Sequence, residues 1–303
     1  MTSLKSTTQG HLAMLGFSAL VAGSFSLGAR TANLIDPAAL TMARFVVAVA
    51  TMAIAAQLFG PGFRRAHFRG SWRWLLLGSI YAIYFVLMFE ALKTATSVST
   101  AAVFTLSPIL SAGIGWLMLR QRTTGRMAIA IAIGALGALW VIFRGSLGNA
   151  LRLDIGKGEL IYFLACVFHA ALPALMRKTH RGEPPMVATT LLLIGGFITL
   201  LPWGVPKALA TDWRAVEPLV WATIVYTAVA ASALTALLMG FASQRLPGAK
   251  VMAYTYLVPS WVIGWEIALG GSAPPVAVLG GIALTILALI LLLKDEAQSS
   301  AAR

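Results

Sequence analysis

The chain has little charge for its length. Only 11% of its 303 residues are Asp, Glu, Lys or Arg, whereas 59% are hydrophobic. A water-soluble domain of this size needs far more polar surface, so the composition excludes an ordinary soluble enzyme or binding module. The mean hydropathy of +0.84 is typical of a protein that lies largely within a lipid bilayer.

Cysteine and the common catalytic motifs are also scarce. The single Cys166 excludes a disulfide within the chain and argues against a thiolate metal site. The spacings CxxC, HExxH, GxxxxGK[ST] and GxSxG do not occur. We therefore expect no metal, no cofactor and no catalytic residues. A membrane-embedded enzyme is the alternative from another class, but Glu90 and Glu266, its candidate acids, have no histidine near them in sequence.

What the sequence has in abundance is long apolar runs. A bilayer core about 30 Å thick needs roughly 20 apolar residues in a helix. The first run could be a signal peptide, but its length and its counterpart at 158–176 favour a membrane span. The sequence predicts ten spans, at 11–29, 37–59, 73–92, 98–119, 126–143, 158–176, 187–205, 218–240, 248–269 and 275–293.

The net charge of +13 has a membrane explanation. With ten spans, 15 lysines and arginines fall on the side of the two termini and 7 on the other side, while Arg44 lies within the second span. Cytoplasmic loops carry such an excess, so both termini are predicted to be cytoplasmic. We expect no nucleic-acid partner.

The two halves of the chain resemble each other at an offset of 151 residues. Five identities support this alignment: Ala91 with Ala242, Ala102 with Ala253, Leu106 with Leu257, Pro108 with Pro259 and Gly113 with Gly264. Five spans per half is an odd number, so the second half enters the membrane from the opposite side. The predicted fold is an all-α polytopic membrane protein with two five-helix inverted-topology repeats, 1–150 and 151–303.

The paired prolines are the first functional candidates. Pro108 and Pro259 each fall near the middle of a predicted span. Each removes a helical hydrogen bond, which frees the carbonyls of Phe104 and Thr255. Proline is also tolerated in membrane helices as a simple bend. Because the pair is symmetric, we favour two hinges that open a substrate cavity at mid-depth.

The third span carries an aromatic stripe. Tyr81, Tyr84, Phe85 and Met88 follow the spacing i, i+3, i+4 and i+7 of one helix face. The stripe is either a packed helix seam or a cavity wall that stacks on an aromatic substrate, and the two hydroxyls favour the wall. The facing wall is expected to contain residues of the eighth and ninth spans, namely Tyr226, Tyr254, Ser260 and Trp261.

Ionisable residues inside predicted spans are also candidates. His169 lies near the midplane, where it could bind substrate, relay a proton or hydrogen-bond a neighbouring helix. Arg44 lies about 12 Å inward from the face where Glu90 and Glu266 end their spans. A buried arginine needs a counter-charge, so we predict that Arg44 pairs with one of these acids in an outer gate. Snorkelling of Arg44 to the interface is the alternative.

Four segments resemble the drug/metabolite transporter superfamily of the EamA type. They are SALVAGSFSLGARTANLIDPAALTMARF (18–45), EALKTATSVSTAAVFTLSPILSAGIGWLML (90–119), GELIYFLACVFHAALPALMRK (158–178) and GFASQRLPGAKVMAYTYLVPSW (240–261). Within the superfamily the chain is most similar to the YddG-type amino-acid exporters. Many members carry a Gly-Glu pair some thirteen residues after each proline, but this chain has Gln121 and Ser272 there.

The resemblance implies a multi-pass transporter of the bacterial inner membrane rather than an enzyme. It implies ten helices, a central cavity between helices 1, 3, 4, 6, 8 and 9, and export of aromatic and other neutral amino acids by alternating access. The expected partners are the amino-acid substrate and the lipid bilayer, and the sequence is compatible with a monomer. Export of cationic drugs or other small metabolites is the alternative, although a cation site would want a carboxylate at mid-depth.

Overall fold

The structure is a computed structural model that describes residues 2–121, 123–148 and 155–301. Met1, Arg122, residues 149–154 and residues 302–303 lie outside the described residues, as does the predicted repeat boundary at 150/151. The main helices of these residues are, in chain order, α1 (Thr2–Thr31), α2 (Pro37–Leu58), α3 (Trp72–Ala91), α4a (Ser97–Phe104), α4b (Ser107–Leu119), α5 (Gly125–Ile142), α6 (Lys157–Thr179), α7 (Pro185–Ala210), α8a (Pro218–Ala228), α8b (Thr235–Ser243), α9a (Gly248–Ala253), α9b (Val258–Ala268) and α10 (Val276–Ala301).

Several helices begin at residues that cap free backbone N–H groups. The Asp36 carboxylate accepts hydrogen bonds from the N–H groups of Ala38 and Ala39 at the start of α2. Thr96 accepts from the N–H of Ser99 at the start of α4a, and Thr124 does the same at the start of α5. Because short polar side chains satisfy the orphan donors, the chain can turn and re-enter the apolar layer as helix.

Eight described stretches are long and apolar enough to cross a membrane. They correspond to the first eight predicted spans, and their ends lie close to the predicted ends. The ninth predicted span is divided among α9a, a 3₁₀ turn at Tyr254–Leu257 and α9b. The tenth contains a shorter apolar helix, Val276–Leu292. The chain is a multi-pass membrane protein with an all-helical fold in its described residues.

Helices are interrupted at three places in the described chain. Two are at the predicted positions: α4b begins just before Pro108, and α9b begins just before Pro259. Both prolines are buried within the protein, as expected for irregular backbone at membrane depth. The third interruption, a π-helical segment at Val229–Leu234 between α8a and α8b, was not predicted.

The bundle has two faces, which we name by their residues. The proximal face is where α1 and α3 begin, and it contains Arg73 and Glu183. The distal face is where α1 and α3 end, and it contains Arg30 and Glu90. Contacts such as the ion pair from Arg30 to Glu266 and that from Arg73 to Glu183 show that each face gathers ends of several helices.

Glycines let several helices approach closely. A Cβ atom on Gly78 of α3 would overlap the backbone of Leu192 and Gly196 in α7, and one on Gly195 would overlap the carbonyl of Trp74. Gly137 of α5 meets Gly281 of α10 in the same way. Such seams are typical of membrane helices, because small residues maximise backbone contact where no water is present to drive packing.

Two contacts near the centre join residues that are 151 positions apart. The Tyr81 hydroxyl donates to the Ser232 carbonyl at 3.1 Å. The ring of Phe45 in α2 fills the space beside Gly196 in α7, where a Cβ would collide with it. This separation equals the offset at which the two halves of the sequence were aligned.

Candidate functional site

A group of aromatic side chains lies at mid-depth, and we call it the aromatic cluster. Tyr84 and His169 are at its centre, with ring centroids 4.3 Å apart, and Phe104 is 5.2 Å from His169. All of its members are at most 1% exposed. The aromatic cluster consists of Phe17 and Phe25 from α1, Tyr81, Tyr84 and Phe85 from α3, Phe104 from α4a, and Tyr162 and His169 from α6.

The stripe predicted on the third span is the core of this cluster. Tyr81, Tyr84, Phe85 and Met88 are all fully buried, so they face protein rather than lipid. The Tyr84 and Tyr162 hydroxyls are 2.8 Å apart. The Tyr81 hydroxyl donates to the Ser232 carbonyl and is 3.2 Å from the Thr235 hydroxyl. These hydroxyls are held in place, which gives the cluster a defined polar surface inside an apolar shell.

His169, a candidate because of its mid-span position, also lies in the aromatic cluster. Its ring packs against Tyr84, Phe104 and Phe17. Its Nδ1 atom is buried and has no hydrogen-bond partner among the described residues. A buried polar atom without a partner is costly, so an atom of this kind is a candidate for ligand binding.

The predicted ion pair of Arg44 with Glu266 or Glu90 is wrong. The fully buried Arg44 points to α8, where Nε and Nη2 donate to the Ser232 hydroxyl at 3.0 and 2.7 Å. Nη2 also donates to the Thr227 carbonyl at 3.1 Å. The π-helical segment begins two residues after Thr227, and its irregular backbone offers the acceptors that a counter-ion would otherwise supply.

The two predicted gate acids have other partners on the distal face. Glu266 of α9b forms a 2.9 Å ion pair with Arg30 of α1 and accepts a hydrogen bond from Ser97 of α4a. We call these three residues the distal latch. Glu90 instead pairs with Lys93, its neighbour at the same helix end. A second contact on this face joins the halves, because Ser99 of α4a donates to Glu159 of α6 at 2.7 Å.

A cleft of about 320 Å³ enters the bundle from the proximal face, between α3, α6, α7 and α8b. His180, Glu183, Gln244 and Arg245 contribute to its polar lining. Its lining also includes Leu77, one turn before Tyr81, and Ala236, next to Thr235. The cleft therefore extends close to the Tyr81–Thr235 contact at the edge of the aromatic cluster.

An ion pair braces one side of this cleft. Arg73 donates to Glu183 at 2.8 Å and to the Thr179 carbonyl at 2.6 Å, and we call this group the proximal brace. Burial acts to raise the pKa of Glu183. The hydrogen bonds from the Arg181 backbone N–H and from Arg73 outweigh it, so the pKa lies below its ordinary value.

The predicted facing wall is placed differently from the expectation. The Tyr226 hydroxyl donates to the Leu20 carbonyl, the Tyr254 hydroxyl lies 3.0 Å from His11, and Trp261 donates to Ser18 at 3.3 Å. All three residues therefore contact α1. Trp261 is also 43% exposed, so part of its ring faces the surroundings of the protein. Ser260, the fourth predicted residue, has a buried hydroxyl without a partner among the described residues.

Sequence reasoning missed several residues of these sites. Tyr162 and Phe104 complete the cluster, Arg30 and Ser97 complete the latch, and Ser232 holds Arg44. Tyr162 and His169 are seven residues apart on α6, the same spacing that revealed the stripe on α3, so that signal was present. Across the residues that the structure describes, no three His, Cys, Asp or Glu side chains come together as a metal site.

The model of the EamA-like transporter family matches two segments of the chain, residues 8–143 and 156–294. The chain is 26% identical over 274 residues to the uncharacterized transporter YyaM of Bacillus subtilis (strain 168), with 90% of each chain covered. A solved crystal structure covers 95% of this chain and 96% of its own, with a TM-score of 0.69 at 18% identity, and it shares the fold.

Proposed function

The chain belongs to the EamA-like transporter family, and from this premise we propose that it exports aromatic and other neutral amino acids by alternating access. Family membership points to a transporter rather than an enzyme. The substrate would bind in the aromatic cluster, with its ring against Tyr84 and Phe104. The buried hydroxyls and His169 would supply hydrogen bonds to its polar groups.

The observation that carries this proposal is the position of the cluster between two unlike faces. The distal latch joins α1, α4a and α9b on one side. The proximal cleft approaches the cluster from the other side. A site that solvent approaches from one face only is what alternating access requires of each end state. In this arrangement the distal latch is the outer gate, and Pro108 and Pro259 are the hinges beside it.

Two observations support an inverted repeat of five plus five helices. The family model matches each half once, and both halves carry a helix break just before the aligned proline. The contact of Tyr81 with Ser232, 151 residues apart, is expected at the pseudo-two-fold axis. Substrate sites of such transporters lie near the midplane at the repeat interface.

The excess of lysine and arginine supports a cytoplasmic position for the proximal face and for both termini. On this orientation the cleft admits substrate from the cytoplasm, which fits export. The bacterial inner membrane is the proposed location, because the resemblance to YddG-type exporters implies it. Cationic drugs are the competing substrate class, and the test below includes one.

The test is transport by purified protein in liposomes. The panel is phenylalanine, tryptophan, leucine and a quaternary ammonium drug, each with and without a pH gradient. We expect transport of the amino acids and none of the drug. Transport of the drug alone would contradict the proposed substrate class.

The site itself is tested with neighbours on one helix. Tyr162 is buried in the cluster, whereas Phe163 on the same helix is 41% exposed. Tyr162→Ala is expected to lower transport of phenylalanine at least about tenfold, because stacking and a hydroxyl contact are both lost. Phe163→Ala is the control and should leave transport within about twofold. Equal effects of both substitutions would show that the cluster is not the binding site.

A further inference from the structure

We infer that Arg44 binds the carboxylate of the transported solute, and this inference rests on the proposed function. It starts from one atom. Nη1 of Arg44 is buried and has no hydrogen-bond partner among the described residues, although the side chain is 0% exposed. A guanidinium carries five N–H donors, and an unpaired one deep in a membrane protein is costly.

The rest of the guanidinium is fixed. Its Nε–Nη2 edge is held by Ser232 and the Thr227 carbonyl, and its plane lies over Phe85 with Cζ 3.6 Å from the ring centroid. Neutral acceptors and an aromatic face orient the charge but do not neutralise it. Ser232, the Thr227 carbonyl and the Phe85 ring therefore hold the guanidinium in place, and both N–H groups of Nη1 remain available to another partner.

Arg44 borders the aromatic cluster. Phe85, which lies under the guanidinium, contacts both Tyr81 and Tyr84. Tyr81 donates to the carbonyl of Ser232, whose hydroxyl binds Arg44. A solute whose ring stacks in the cluster would thus have its charged end within reach of the same residues that hold Arg44.

Among the side chains that the structure describes, no carboxylate contacts the Arg44 guanidinium. Three glutamates whose side chains the structure describes belong to helices and lie near helix ends: Glu90 and Glu266 near the distal ends of α3 and α9b, and Glu159 at the start of α6. Each of these three also has a partner of its own. The counter-ion of Arg44 is therefore expected to come from outside the protein, as an anion.

A carboxylate fits this position better than other groups. It accepts charge-assisted hydrogen bonds from a guanidinium, which are about twice as strong as neutral ones. The fixed positive charge of Arg44 would repel a cationic drug. Arg44 should therefore also exclude cationic solutes from the site. Chloride shares the anionic character but cannot stack in the cluster, so the experiment must separate chloride from a carboxylate.

The test measures binding to the purified full-length protein by tryptophan fluorescence in chloride-free buffer. Three probes share one phenyl ring: phenylalanine, its carboxamide, and 3-phenylpropionate. We expect the two carboxylates to bind at least about tenfold more tightly than the carboxamide, as for the loss of one charge-assisted hydrogen bond. In Arg44→Gln this preference should shrink to less than about threefold, whereas Arg214→Gln, an exposed charge control, should keep it.

Each result of this experiment either supports or contradicts the binding of a carboxylate by Arg44. An equal or better affinity for the carboxamide would overturn the inference, as would an unchanged carboxylate preference in Arg44→Gln. Binding of 3-phenylpropionate but not phenylalanine, lost in Arg44→Gln, would support Arg44 as the anion site while refuting the amino-acid function. Binding of none of the probes would count against both.

Two additions keep the test informative. If Arg44→Gln fails to fold, Arg44→Lys decides, because an ammonium lacks the planar fork. Its carboxylate affinity should fall about tenfold, and an unchanged affinity would contradict the inference. If chloride and the carboxylate share the site at Nη1, added chloride should weaken carboxylate binding by competition. If chloride binds without weakening carboxylate binding, Nη1 binds chloride alone and the inference is wrong.

Discussion

The distal latch and the proximal brace are both arginine–glutamate pairs between helices, but they differ in burial. The side chains of Arg30 and Glu266 are 28% and 16% exposed, whereas those of Arg73 and Glu183 are 2% and 6% exposed. Water and ions screen the first pair, so opening it costs about 0–1 kcal/mol. Opening the second leaves an uncompensated buried charge and costs several kcal/mol.

This difference separates a part that can move from a part that stays fixed. The brace joins α3 to the segment before α7, and the Gly78–Gly196 seam packs the same two helices backbone to backbone. The latch joins α1, α4a and α9b, and the latter two are short segments beside helix breaks. We expect the distal face to open and close while the wall formed by α3 and α7 remains rigid.

The largest expected effect comes from breaking the brace. Arg73→Ala leaves the buried Glu183 carboxylate without its arginine and with the Arg181 N–H as a close donor, which should destabilise the protein by about 3–5 kcal/mol. Thermal unfolding in detergent measures the change. Lys93→Ala, which removes the partly exposed partner of Glu90, is the matched control and should cost under about 1 kcal/mol. Similar losses of stability in the two variants would contradict the expected difference between a buried and a more exposed ion pair.

A smaller loss is expected at the glycine seam. Gly78→Ala places a methyl group against the backbone of α7, and overpacking of this kind costs about 1–3 kcal/mol or more. Gly113→Ala on α4b is the control, because a Cβ there meets nothing within 4 Å. Unfolding temperatures should fall for Gly78→Ala and stay level or rise for Gly113→Ala. Tolerance of both substitutions would mean that α3 and α7 can separate.

The stability that the proximal brace contributes should decrease gradually as the pH falls. Because the pKa of Glu183 lies below its ordinary value of 4.5, the ionised carboxylate contributes stability that is fully present above 4.5. That contribution is lost as the pH falls through the lower value. The unfolding temperature of the wild type should therefore drop more steeply below about pH 4.5 than that of Glu183→Gln. Parallel pH profiles would argue against the ionised pair.

The smallest effect on stability is expected at the latch. Glu266→Gln removes the charge that Arg30 and Ser97 contact, which should raise the open distal population by no more than about fivefold. Hydrogen exchange of the α4a and α9b amides measures this opening, and Lys93→Gln controls for loss of a distal charge. Unchanged exchange in Glu266→Gln would show that the latch is not a gate.

The course of the chain was largely readable from sequence. Apolar runs predicted ten spans, of which the structure has eight as long apolar helices, and prolines predicted two helix breaks, since each depends on local chemistry alone. The π-helical segment at Val229–Leu234 was not readable, because no proline or glycine marks it. It arises where Arg44 of another helix needs acceptors, and a contact between residues 188 positions apart leaves no local signal.

The site was predicted in part for the same reason. The helical spacing of Tyr81, Tyr84 and Phe85 revealed a buried face, and mid-span depth revealed His169. Depth alone did not identify partners. Glu266 or Glu90 was predicted to pair with Arg44, but Glu266 pairs with Arg30 and Glu90 pairs with Lys93. Tyr226 and Trp261 lie at suitable depths, yet they contact α1, which periodicity within their own helices does not reveal.

The single cysteine of the chain, Cys166, can report on access to the aromatic cluster because of where it lies. Cys166 lies on α6 between Tyr162 and His169 and is completely buried. A water-soluble alkylating reagent reaches it only when the bundle parts around the cluster. The native chain therefore contains its own chemical reporter of access to the aromatic cluster. The rate of Cys166 alkylation, measured with and without solute, reports how often the transporter opens.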